Sequence, residues 1–175
     1  LGCTLSRWWD EGSVLAACID LDWAASPCWT RRATAGLPPG GRSLWSVPID
    51  GSAATRLTPK PVCGAEAGAA EHAADYRDAL STGGVVAAET AGCCDIGGLD
   101  LISGDTVTGW MGYPGSLCGR PHSPDLVAVR GDRFLVWDSV LLETEGPLLG
   151  VIFEVATDGT VLRAITPIDR GGGAD

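Results

Sequence analysis

A hairpin motif that recurs at near-constant spacing constrains this chain more than any other feature. Residues 44–59 read Leu-Trp-Ser-Val-Pro-Ile-Asp-Gly-Ser-Ala-Ala-Thr-Arg-Leu-Thr-Pro. That is an alternating apolar strand, an Asp-Gly turn and a short second strand closing on Thr-Pro. Residues 150–167 repeat the plan around Asp158-Gly159, and residues 98–110 carry a weaker copy around Gly104. Asp-Gly between alternating strands specifies a hairpin, because the turn needs positive φ, which glycine adopts at little steric cost. The turn glycines Gly51, Gly104 and Gly159 stand 53 and 55 positions apart. A period of this size with several strands per unit points to propeller blades or a related array.

Each unit also carries strands ahead of that hairpin. In the first, Cys3–Trp9 and Val14–Asp20 flank Asp10-Glu11-Gly12-Ser13, where Gly12 suits a left-handed loop position. In the third, Asp125–Val129 and Arg133–Val140 flank Arg130-Gly131-Asp132, and Arg133–Val140 reads as a buried strand. In the middle unit Gly83–Thr90 reads as a strand, with a partner near Asp75–Leu80. The expectation is an all-β chain of about three four-stranded antiparallel sheets, an incomplete ring of β-propeller blades. The units span about 3–59, 60–115 and 116–167, with a Gly-rich tail at 168–175, in a single partial propeller domain. Residues 64–74 have helix-forming residues but no apolar stripe, and read as a surface loop or one helical turn.

Composition excludes several function classes. Twelve basic residues against 22 acidic ones leave a net charge of −10, and only Arg31-Arg32 are adjacent. A nucleic-acid partner needs a basic face that displaces counterions, so none is expected, nor is docking on an anionic membrane. No apolar run reaches the ~18 residues of a membrane helix, so no membrane span is expected. Seven cysteines fit an oxidising compartment, which places the chain outside the cytoplasm: secreted, periplasmic or in the cell envelope. The chain opens at Leu1 without methionine, which fits a removed leader or a start within a longer protein. Leu1-Gly2-Cys3 resembles a lipoprotein cleavage box, but processing would leave the cysteine first.

Arg7-Trp8-Trp9-Asp10-Glu11-Gly12-Ser13-Val14-Leu15-Ala16, followed by Leu44–Pro59, resembles the blade signature of TolB-like β-propellers. The resemblance is to the secreted TolB-like proteins of high-GC bacteria. It is good in the first unit, fair in the third and poor in the middle. It implies an exported binding module that acts through rim loops on a protein or small ligand, with no catalysis and no cofactor. About six or more blades are usual there. Three units therefore imply the C-terminal half of a larger propeller, or closure by oligomerisation. Two further readings are the non-catalytic propeller part of a secreted hydrolase or peptidase, and a carbohydrate-binding propeller.

No residue earns a catalytic or metal assignment, and the ligand-binding residues stay unassigned. His72 and His122 lie in no ligand array, and Ser116 lacks the second glycine of a nucleophile elbow. Gly97-Gly98 and Gly171–Gly173 lack the strand–turn–helix context of a phosphate loop. Asp20-Leu21-Asp22 offers two carboxylates where calcium needs about six to eight oxygens, so it reads as a strand end entering a loop. Vicinal Cys93-Cys94 has no Cys-x-x-Cys spacing and reads as structural. Trp8, Trp9, Trp45 and Trp137 read as filling between blades, and Trp23 and Trp29, in the insertion Leu21–Gly41, as the exposed pair. Cys3 and Cys18 are expected to bond. If Asp10–Gly12 closes the first hairpin, facing residue numbers sum to 21 or 22 and the two cysteines oppose each other.

Overall fold

Asp-Gly and Gly-Asp turns organise the chain where the sequence places them. The computed structural model describes residues 2–35, 40–61, 63, 75–91, 98–110, 124–141 and 148–165. Gly51, Gly104 and Gly159 all lie in the left-handed region, at φ 80°, 55° and 88°. In two of these turns the aspartate locks the bend: Asp50 Oδ1 accepts Ser52 N–H and Asp158 Oδ1 accepts Thr160 N–H, both at 2.9 Å.

The first sheet comprises β1 (Cys3–Trp8), β2 (Ser13–Ile19), β3 (Arg42–Pro48) and β4 (Thr55–Arg56). Between β2 and β3 lie two short helices, α1 (Leu21–Ala24) and α2 (Pro27–Thr34). The second sheet holds β5 (Asp75–Thr82), β6 (Val85–Ala91), β7 (Gly98–Ser103) and β8 (Thr106–Trp110). The third holds β9 (Asp125–Arg130), β10 (Arg133–Leu141), β11 (Leu148–Ala156) and β12 (Val161–Ala164). Each is an antiparallel meander with strands adjacent in chain order, so the molecule is three blade-like sheets that close no ring.

The first hairpin carries both register sums. Cys3, Thr4 and Leu5 face Cys18, Ala17 and Ala16; a bulge at Ser6 then shifts the pairing so that Arg7 faces Leu15 and Trp8 faces Val14. Cys3 and Cys18 are bonded, with Cα atoms 4.1 Å apart. Gly12 does not take the left-handed conformation expected of it. The loop instead closes through Asp10 Oδ1, which accepts Gly12 N–H at 2.8 Å, and Trp9 N–H donates to Ser13 O at 3.0 Å. In the middle sheet Gly83 is not a strand residue: Gly83-Gly84 is the turn, at φ 56° and 76°.

Alternation along the strands decides what the sheets do to one another. Val86, Ala88 and Ile102 of the middle sheet join Tyr76 and Ala79 against Leu15, Ala17 and Leu44 of the first. The alternate residues Val85, Ala87, Leu99 and Leu101 pack against Leu126, Phe134, Val136, Val151, Phe153 and Val155 of the third. The middle sheet is therefore covered on both faces, and each end sheet is covered by a described sheet on one. β10 is correspondingly not buried throughout: Phe134 and Val136 are buried, whereas Trp137 on the other face is 37% exposed.

Polar ties cross the first seam. Arg42 forks onto Asp75 with two 2.7 Å bonds, Arg7 pairs with Asp78, and Ser6 Oγ donates to Asp78 Oδ1 at 3.0 Å. Tyr76 OH donates to Asp100 Oδ2 at 2.6 Å; burial first, then this hydrogen bond and the Asp100 charge, push the phenol up, so it stays protonated.

Candidate binding surface

The insertion between β2 and β3 folds as two capped helices rather than an open loop. Asp20 and Ser26 are the N-caps, accepting N–H bonds from Trp23 and Trp29 at 3.2 and 3.3 Å. Pro27 opens α2, where its missing donor costs nothing, and Arg31 and Arg32 complement the dipole at its last turn. A disulfide from the fully buried Cys28 to Cys63 fastens α2 to the segment after β4, with Cα atoms 5.7 Å apart.

This arrangement separates the two insertion tryptophans. Trp23 is only 2% exposed, so it is not a surface residue as expected. Its ring lies against the backbone of Gly41, at φ 78°, so close that a Cβ there would come within 2.6 Å of Trp23 Cγ and overlap the ring. Trp29 is half-buried and lines a cavity of about 380 Å³ together with Thr4, Ile19, Gly40, Arg42 and Asp75. An aromatic ring there adjoins a guanidinium–carboxylate pair at the rim where the helices leave the sheet. The hydrogen bond from Arg42 to Asp75 outweighs the effect of burial and binds the Arg42 proton more firmly, so the guanidinium stays charged.

The strand tryptophans depart from the filling role assigned to them. Trp9 packs partly against the first seam, but Trp8 is 64% exposed. Trp45 is half-buried beneath Arg56, whose guanidinium carbon lies 4.5 Å from the ring centroid. Arg56 Nη2 also donates to Asp20 Oδ2 at 2.8 Å. Burial opposes ionisation of Asp20, yet the bonds from Arg56 and Trp23 N–H prevail and hold its carboxyl below the usual range. Asp22 turns instead to Lys60, so the two carboxylates of Asp20-Leu21-Asp22 serve different cations. Among the described residues no cluster of three or more His, Cys, Asp or Glu side chains is placed to hold a metal ion. His72, Cys93, Cys94, Ser116, Cys118, His122, Gly97 and Gly171–Gly173 lie outside the described residues, as do segments 64–74 and 168–175.

A half-buried carboxylate sits in the second seam. Glu89 on β6 accepts the Leu126 N–H of β9. Burial pushes its carboxyl up, as do the charges of Asp78 and Asp125, against the Leu126 bond and Arg7. A folded-state value above the unfolded one gives stability that is present below the unfolded value and fades as pH rises. Glu89→Gln retains an acceptor for Leu126 and loses the titration. Its melting temperature should exceed that of the parent at pH 7–8, and the gap should close near pH 4. A constant gap across that range in thermal unfolding would refute the assignment.

No family model matches the chain, and no curated protein or solved structure matches it either.

Proposed function

We propose that the chain is a non-catalytic blade module of an exported, TolB-like β-propeller that binds its ligand at the rim formed by the β2–β3 insertion. The observation that carries this reading is the construction of that rim. Two capped helices, a disulfide and the Trp23–Gly41 contact hold Trp29 beside Arg42 and Asp75 around a cavity of about 380 Å³. Function on β scaffolds resides in loops held by rigid elements, and this connection is held at several points. Two disulfides fit an oxidising compartment, and no described helix is long and apolar enough to cross a membrane.

The make-up of the cavity favours a carbohydrate among small ligands. A sugar presents an apolar ring face that stacks on an aromatic side chain and hydroxyls that exchange hydrogen bonds with a charged pair. Trp29 offers the first contact and Arg42 with Asp75 the second. Glycan-array binding of the oxidised chain, followed by titration of any hit, tests this. Trp29→Ala should weaken binding by about tenfold or more, whereas the exposed Trp8→Ala should leave it unchanged. An array without hits removes the carbohydrate reading. Stoichiometric labelling of one residue by a reactive-serine probe removes the non-catalytic one.

A further inference from the structure

The register of the three sheets shows that they stack head to tail. Corresponding pairs can be read from the strand ladders: Val14–Val47 in the first sheet, Val86–Ile102 in the second and Phe134–Val155 in the third. In the second and third sheets these residues turn back onto the preceding sheet and are largely buried there. This is the trailing face of each sheet. The opposite, leading face carries Leu15 in the first sheet, Ala87 in the second and Leu135 in the third. Each seam thus joins the leading face of one sheet to the trailing face of the next, and the same join is made twice.

Among the described residues, the two faces left over are the two halves of that join. The trailing face of the first sheet shows Leu5 at 70% and Trp8 at 64% exposure, beside Val14 and Val47. The corresponding position to Leu5 in the second sheet is Ala79, paired to Ala88 as Leu5 is to Ala16, and Ala79 is fully buried. The leading face of the third sheet carries Ala128, Leu135 and Trp137. The buried Glu154 on this face is neutralised, lying 2.6 Å from Arg163 Nε with Arg133 close by.

Charge completes the match. In the second seam the first-hairpin tips meet, since Thr82 Oγ1 donates to Gly131 O at 2.7 Å. The corresponding tips at the open ends differ in net sign: Asp10 and Glu11 are both acidic and exposed on the first sheet, whereas on the third Asp132 is paired to the half-buried Arg133 and the exposed Arg130 leaves an excess positive charge. We propose that two copies of this chain associate head to tail, the leading face of each third sheet covering the trailing face of the other's first sheet. Such a join is heterologous, and two copies close it without an exposed end.

Sedimentation of the oxidised chain at physiological ionic strength tests this. The expected species is twice 18.0 kDa. Its dissociation constant should be below about 100 µM. Leu5→Arg blocks the trailing face and Trp137→Arg the leading face. Trp8→Arg and Ala128→Arg are second variants for the two faces, and circular dichroism reports whether each folds. Each blocked chain alone should dissociate about tenfold or more readily. A mixture of one trailing-face and one leading-face variant should associate again, because one unspoiled join remains. Loss confined to one face would mean a symmetric contact and overturn the proposal. So would loss without recovery on mixing. A wild-type chain that stays monomeric overturns it as well and leaves these faces to sheets of another chain.

Discussion

Gly41→Ala should cost about 2–5 kcal/mol, whereas Gly51→Ala should cost only about 1–2 kcal/mol. Both glycines hold nearly the same positive φ, 78° and 80°. The strain of placing an L-residue in the left-handed region is thus common to the two variants. They differ in what the new methyl group meets. At Gly51 nothing lies within 4 Å, but at Gly41 the methyl overlaps the Trp23 ring. That ring is 2% exposed and cannot swing into solvent without opening the packing beneath α1. Steric overlap in a filled core adds about 1–3 kcal/mol to the backbone term. For a chain of this size each kcal/mol lowers the melting temperature by roughly 2–4 °C, so the two variants should be resolved in one thermal scan. Equal losses would show that the Trp23–Gly41 contact does not govern the insertion. The consequence extends to the binding reading, because Trp29 is aimed by the same helices. Gly41→Ala should therefore also weaken any ligand that Trp29→Ala weakens.

The hairpins were legible because their information is local. Asp50-Gly51 and Asp158-Gly159 state both the turn and its register, and the sum rule that pairs Cys3 with Cys18 needs only a loop length. The same economy explains Gly83: a Gly-Gly pair is itself a turn signal, and reading it as the start of β6 ignored that. The tryptophans were not legible for the opposite reason. An alternating strand says that two faces differ, but not which face a neighbouring sheet covers. Trp8 and Tyr76 sit on comparable strands, yet Trp8 is 64% exposed and Tyr76 1%, because the covering element exists for one and not for the other. Trp23 and Trp29 were indistinguishable in sequence. Their fates diverge through Gly41, a residue 18 positions beyond Trp23 whose missing side chain leaves room for one ring only. The helices themselves carried a readable signal in Asp20 and in Ser26-Pro27, cap residues before short runs, that the loop reading passed over.

Loss of the Cys28–Cys63 bond should destabilise the chain by about 4 kcal/mol, and loss of Cys3–Cys18 by about 3 kcal/mol. The order follows from the unfolded state, where the bonds close loops of 35 and 15 positions. A longer loop gives up more entropy when it is tied. Context sharpens the difference. Cys3 and Cys18 face each other on strands already joined by a ladder and a tight turn, so reduction leaves their neighbours in place. Cys28 has no such support: it is fully buried on a helix of eight residues, too short to be stable without its packing. Its bond carries α2, and with it Trp29, onto the body of the first sheet. Double alanine variants at each pair, compared by thermal unfolding under oxidising conditions, should show the 28–63 variant melting lower. Reducing agent should lower the parent to near the variant lacking both bonds. The four bonded residues leave Cys93, Cys94 and Cys118, an odd number, so at least one sulfhydryl stays free or pairs with another chain; thiol titration of the denatured, unreduced chain and a non-reducing gel should together find one or the other. If instead the 3–18 variant melts lower, the helical insertion is not the element the disulfide supports, and the rim of the proposed binding surface is held by its caps and by Trp23 against Gly41.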